Sequence, residues 1–212
     1  MSNRGSIMSE EERVELLNWV NSTIMPNTLL GIKETKFRYY DLTTNMVPEL
    51  TTVSTTQSLI RETGPPPSKP APGQITIPNL VPANYPIHPL ISVIKQRIID
   101  KEGVIDNTSY ILNQSYHDFI GIIPPGGYIH KHMDLNEDEL IQGRFNVFLQ
   151  LPTGCCNTYY GDAVVDSVEG CYVFCPCGLY PHWSNPNTDN KDRIILSFAF
   201  LIPKDQVLSL IK

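Results

Sequence analysis

From Ser109 onward the chain is a succession of short apolar or alternating runs, split by turn residues, with no helical period between them. The runs are SYILNQS, DFIGIIP, GYIHKHM, RFNVFLQL, NTYYG, AVVDSV, CYVFCP and RIILSFAFLI. Period-two patterning bounded by Gly, Pro, Asn and Asp marks strands. Strands that follow one another through tight turns, with no crossover helix, build antiparallel sandwiches or barrels. The expected class is therefore mainly β with flanking α.

The first half supplies the flanking helices. Ser9 followed by Glu12 is a capping-box signature, and Val14, Leu16, Leu17, Trp19 and Val20 give the helix an apolar face. It is expected from Glu10 to Asn21, ending before Pro26. Lys36 to Leu42 reads as a strand. Residues 43–63 are Thr-rich, and GPPPSKPAPG (Gly64 to Gly73) opens a Pro-dense stretch, 64–89, that excludes helix and central strand. Residues 43–89 are expected to shape substrate entry. Leu90 to Lys101 has helical spacing at Ile91, Ile94, Ile98 and Ile99, with Gly103 as a stop. Residues 1–108 have too little apolar pattern for a core of their own. The expected organisation is one domain over 1–212: N-terminal support over 1–108 and a β-core over 109–203.

The net charge of −6 gives no basic footprint for nucleic acid or anionic membrane. No apolar run approaches the roughly 20 residues of a membrane span, and MSNRGSIMSEEE lacks an apolar signal core. The cysteines number five, an odd count, and all fall between Cys155 and Cys177. A reduced, cytoplasmic setting fits this better than a disulfide framework. Cys155-Cys156 and Cys175-Pro-Cys177 match no C-x-x-C zinc spacing. They read as small apolar strand residues beside a pocket.

His132, Asp134 and His182 carry the chemistry. In a strand, residues two apart share a face, so His132 and Asp134 can address one ion while Met133 points away. His182 is the only histidine that follows. Two histidines and one carboxylate form the ligand set of a non-haem iron(II) facial triad. Such a set leaves positions for a bidentate 2-oxo acid and for O2. His130 and His132 are an alternative pair, but a carboxylate ligand favours iron(II). Otherwise His130 lies near the site or at the surface. Arg193 begins a run that is apolar on both faces, so it is expected to be buried and to need an anion. That anion is either a protein carboxylate or the carboxylate of a cosubstrate, which a guanidinium binds bidentately. Ser197, four residues on, shares the strand face of Arg193, for a second hydrogen bond or for one to the backbone.

These residues resemble the 2-oxoglutarate/Fe(II)-dependent dioxygenase superfamily over Ser109 to Pro203. The resemblance is greatest to its aspartyl/asparaginyl β-hydroxylase and prolyl-hydroxylase-like branches. IIPPGGYIHKHMD resembles the segment with a turn glycine before H-x-D. GRFNVFLQLP resembles an Arg-x-His strand of the aspartyl hydroxylases, with Asn146 in place of His. GCCNTYYGD resembles the G-G-x-T-x-F segment of prolyl-hydroxylase-like enzymes, with Cys155 replacing a Gly. EGCYVFCPCGLYPHWSNPN followed by Arg193 resembles the distal-His segment. The resemblance implies a double-stranded β-helix (jelly roll), with Fe(II) held by His132, Asp134 and His182. It implies Arg193 anchoring 2-oxoglutarate, with Arg144 and Asn146 near that cosubstrate. The implied reaction is hydroxylation of an unactivated C–H bond, with a peptide side chain as the first expectation, O2 consumed and succinate and CO2 released. A cupin-type metalloenzyme using His130, His132, Glu137 and His182 is the nearest rival. A non-catalytic jelly-roll binding module is the other.

Overall fold

A computed structural model of the chain describes residues 4–26, 30–31, 35–42, 46–48, 80–82, 86–106, 117–134, 136, 139–154 and 156–211. The Pro-dense segment 64–73, the expected strand at 109–115, Glu137 and Cys155 lie outside the described residues. The elements are α1 (Glu10–Trp19), a π-helical turn (Val20–Ile24), β1 (Leu30–Gly31), β2 (Arg38–Asp41), β3 (Met46–Pro48), β4 (Leu80–Pro82) and α2 (Pro89–Glu102). They continue with β5 (Phe119–Ile123), β6 (Leu140–Gln150), β7 (Thr158–Tyr160), β8 (Ala163–Val164), β9 (Tyr172–Cys175), β10 (His182–Ser184), β11 (Arg193–Pro203) and α3 (Lys204–Leu210).

The strands form a six-stranded sheet of order β1-β2-β5-β11-β6-β9, a three-stranded sheet β10-β7-β8, and the pair β3-β4. Every pairing is antiparallel. The antiparallel β-class expected from the run-and-turn pattern is therefore what forms.

Alternation along β11 and β6 separates the two faces of the large sheet. Ile194, Leu196, Phe198, Phe200 and Ile202 of β11, with Phe145, Val147 and Leu149 of β6, join Leu16, Val20, Ile24, Ile94 and Ile98 in one core. The helices therefore buttress the outer face. The opposite face presents Ile195 and Phe148, which pack with Tyr160, Val165, Val173, Cys175 and Cys177 in a second core facing the three-stranded sheet. The four described cysteines are free.

The capping box forms as expected. Ser9 accepts from the Glu12 amide at 3.2 Å, and the Ser9 amide donates to the Glu12 carboxylate at 2.9 Å. The first helix runs on as the π turn to Ile24, past the expected end at Asn21. That continuation brings Ile24 onto the fully buried stripe of Leu16 and Val20. In α2, Gly103 adopts φ +65°, the left-handed C-terminal conformation that glycine takes most easily.

The segment GYIHKHM is not a strand. Its backbone meets β10 at one bridge, His132 to His182, and at one further hydrogen bond, Ser184 N–H to Ile129 O at 3.1 Å. It is held beyond that point by Asp134 N–H donating to Cys177 O at 3.0 Å. Asn136 then donates to Gly178 O and accepts from Gln142 N–H. Hydrogen bonds to a turn and a side chain thus replace a ladder. The expected strand AVVDSV shrinks to Ala163–Val164, and β10 forms where no strand was expected.

Candidate metal centre

His132 and His182 pair through their backbones in both directions, at 3.0 and 2.7 Å. This places the two imidazoles side by side, with ring centres 4.1 Å apart. Asp134 follows two residues on and points Oδ1 at both: 3.6 Å from His132 Nε2 and 4.0 Å from His182 Nε2. One ligand atom from each of the three lies within 4.8 Å of the others. An ion about 2.1 Å from each of three donors would hold them roughly 3 Å apart, so small side-chain shifts suffice to close on one.

Protonation suits the same task. His132 Nδ1 lies 2.7 Å from His130 O. A carbonyl only accepts, so Nδ1 carries a proton and Nε2 is the ring nitrogen turned to the donor cluster. Burial, with His132 alongside, pushes His182 down to about 4, so its imidazole is neutral at pH 7. Burial alone would raise Asp134. The Arg144 guanidinium and the two imidazoles outweigh it and hold the carboxyl below its ordinary range. A neutral His182 and an ionised Asp134 are in the forms that bind a divalent metal.

Deeper between the sheets, Arg193 is 2 % exposed. It donates from Nη1 to Thr158 Oγ1 and lies over the Phe148 ring at 5.5 Å. Its Nε has no partner, and among the described residues no carboxylate pairs with it. Thr158 and Tyr160 lie two apart on β7 and point to one face. Tyr160 stacks on His182 at 5.2 Å. The interior is thus layered from the His182 end through Tyr160 to the Thr158–Arg193 end.

Asn146 lies in the middle layer, opposite Ser197 of β11. It donates to the Tyr160 hydroxyl at 3.3 Å and to Cys175 Sγ at 3.4 Å, and its Oδ1 is buried without a partner. Arg144 donates to Ser197 Oγ, His117 O and Asp134. Its contacts are thus at Asp134, in the donor cluster, rather than beside Arg193. Ser197 meets Arg144, not Arg193. His130 is exposed and stands edge-on to Tyr128 at 5.2 Å, outside the donor cluster. Thr158, Tyr160 and Asn136 were not singled out from the sequence. The alternation in NTYYG would have found the first two, whereas Asn136 holds a turn that no periodicity announces.

No family model matches the chain, and no curated protein matches it. Solved structures do. A Pseudomonas putida prolyl-4-hydroxylase superposes with a TM-score of 0.53 at 14% identity, covering 94% of this chain and 91% of its own. A prolyl hydroxylase from Trichoplax adhaerens, in complex with a hypoxia inducible factor peptide fragment, gives 0.57 at 8% identity over 98% and 86%. This chain has the prolyl-hydroxylase fold. A viral collagen prolyl hydroxylase from Paramecium Bursaria Chlorella virus-1, solved with 2-oxoglutarate, matches at 0.50 and 14% identity over 92% of both chains. Prolyl hydroxylases are the second of the two branches that the sequence resembles. At these identities the likeness is one of fold.

Proposed function

We propose that this chain is an Fe(II)- and 2-oxoglutarate-dependent dioxygenase, folded as one domain, that hydroxylates a peptide side chain. One observation carries the reading. His132, a neutral His182 and an ionised Asp134 converge at one end of the interior, and a buried arginine that pairs with no carboxylate among the described residues waits at the other. A 2-oxo dicarboxylate has a chelating end for the first and an anionic end for the second. The prolyl-hydroxylase fold, and the peptide held by the Trichoplax enzyme, support the substrate class.

His132, Asp134 and His182 would hold Fe(II) from one side, leaving the other open. The ion would supply the oxidising chemistry that couples 2-oxoglutarate and O2 to C–H hydroxylation, with succinate, CO2 and the hydroxylated product formed. Arg193 would take the distal carboxylate, with Thr158 fixing the guanidinium that receives it. Asn146 would offer its amide to the cosubstrate from the middle layer. Phe148 and Ile195 form apolar wall there and keep water from the bound acid. His132 is 45 % exposed at its side chain, which leaves the metal end open to a macromolecular substrate. A cupin site would need His130, which is turned to Tyr128.

An anaerobic titration of the apo-protein with Fe(II) and then 2-oxoglutarate tests this. The visible charge-transfer band of the chelate is expected in wild type and absent in His182→Ala. Arg193→Ala is expected to need roughly 30-fold more 2-oxoglutarate or beyond, from the 2–5 kcal/mol that truncating a buried charge pair costs. Metal uptake without a band would favour a cupin-type enzyme, and no uptake would leave a binding module.

A further inference from the structure

We infer that Arg144 is the positioning residue that restricts Asp134 to one metal-facing oxygen. The inference rests on the metal-centre reading above and concerns how many coordination positions the protein leaves open.

Arg144 stands in the middle of β6, opposite Ala199 of β11 and Cys175 of β9. At 8 % exposure its charge is nearly withdrawn from water. Three anchors set the guanidinium. Nη1 donates to His117 O at 3.1 Å and to Ser197 Oγ at 3.3 Å, and the group lies over the Phe119 ring at 4.7 Å. From that fixed place Nε reaches Asp134 Oδ2 at 3.4 Å. The other oxygen, Oδ1, is the one that faces His132 and His182. The two oxygens of one carboxylate thus have different partners on opposite sides.

The terminal torsion of an aspartate is soft and roughly two-fold. A free carboxylate can therefore offer both oxygens to an ion. In an octahedral site, three single-atom protein ligands leave three positions, enough for a bidentate 2-oxo acid and O2 together. A carboxylate binding through both oxygens would take one of those three. Arg144 prevents this by engaging Oδ2, and its planar fork keeps the direction fixed. Its contribution is to the number of open positions rather than to grip on the ion.

The test uses wild type, Arg144→Met, Asp134→Asn and the double variant, in two arms. Thermal unfolding of the metal-free proteins forms a double-mutant cycle. A direct pair predicts that the double variant loses about 3 °C or more less than the two singles combined. Co(II) titration followed by visible absorption is the second arm. Freed Oδ2 takes one of the three positions left open in wild type, so Arg144→Met is expected to bind Co(II) with a visible band displaced from that of wild type. It should also bind 2-oxoglutarate to the Co(II) form at least about tenfold more weakly. An additive cycle, or a wild-type Co(II) spectrum in folded Arg144→Met, overturns the inference while leaving the metal centre intact. Wild type that takes up no Co(II) removes the metal centre and this role with it. Where Arg144→Met does not fold, Ser197→Ala releases the guanidinium from β11 and is read by the same two criteria.

Discussion

At the scale of single residues, the interior is organised by which polar atoms are left without a protein partner. Among the described residues, Arg193 has one hydroxyl and one aromatic face for company. A buried guanidinium with so little compensation calls for an anion. Thr158 is the residue that orients it. Thr158→Val keeps the shape and removes the acceptor. It should raise the 2-oxoglutarate concentration for half-saturation about 2- to 10-fold, the size of one hydrogen bond. Turnover at saturation should stay near wild type, and steady-state succinate release measures both.

At the scale of elements, the two faces of the large sheet have separate duties. Ile94 of α2 is fully buried on the helix-packed face. Ile94→Ala should cost about 2–5 kcal/mol, read by urea unfolding, yet leave metal affinity unchanged because the site lies on the opposite face. The capping box ties α1 to α2 as well. Glu12 is held down to about 2, chiefly by hydrogen bonds from Arg97. Its folded value is below its unfolded one. The stabilisation is therefore present above about pH 4.5 and is lost as pH falls through about 2. The pair is partly exposed, so Glu12→Gln should lose about 1 kcal/mol or less at pH 7 and nothing at pH 2, by chemical denaturation at each pH.

The same scale shows what was readable beforehand. Apolar patterning, with the capping box for α1, placed α1, α2, β5, β6, β9 and β11, the four strands being buried along nearly their whole length. It missed β10, which has three residues, and it read a strand into GYIHKHM, whose alternation is real but whose backbone makes one bridge and one further bond to β10 rather than a ladder. His132, Asp134 and His182 were legible as a set of residue types. Their convergence was not, since it depends on a single bridge between distant segments. The contact of Arg144 with Asp134 was hidden for the same reason.

For the molecule as a whole, the candidate metal site sits where the segment before β6 meets the three-stranded sheet. An ion there would tie two remote stretches of chain together. Divalent metal at 100 times its dissociation constant should stabilise the fold by about 2.7 kcal/mol. Added Co(II) should therefore raise the melting temperature of wild type and leave that of Asp134→Ala or His182→Ala in place. Among the described residues no helix is long and apolar enough to cross a membrane.

The bridge between His132 and His182 is made by backbone atoms alone. Removing the His132 ring therefore leaves its socket standing, with its outer side open to solvent. The vacant ligand position then has the shape of a small heterocycle. Free imidazole added to His132→Gly should occupy it and restore Co(II) uptake, making this ligand exchangeable from solution while the buried His182 is not.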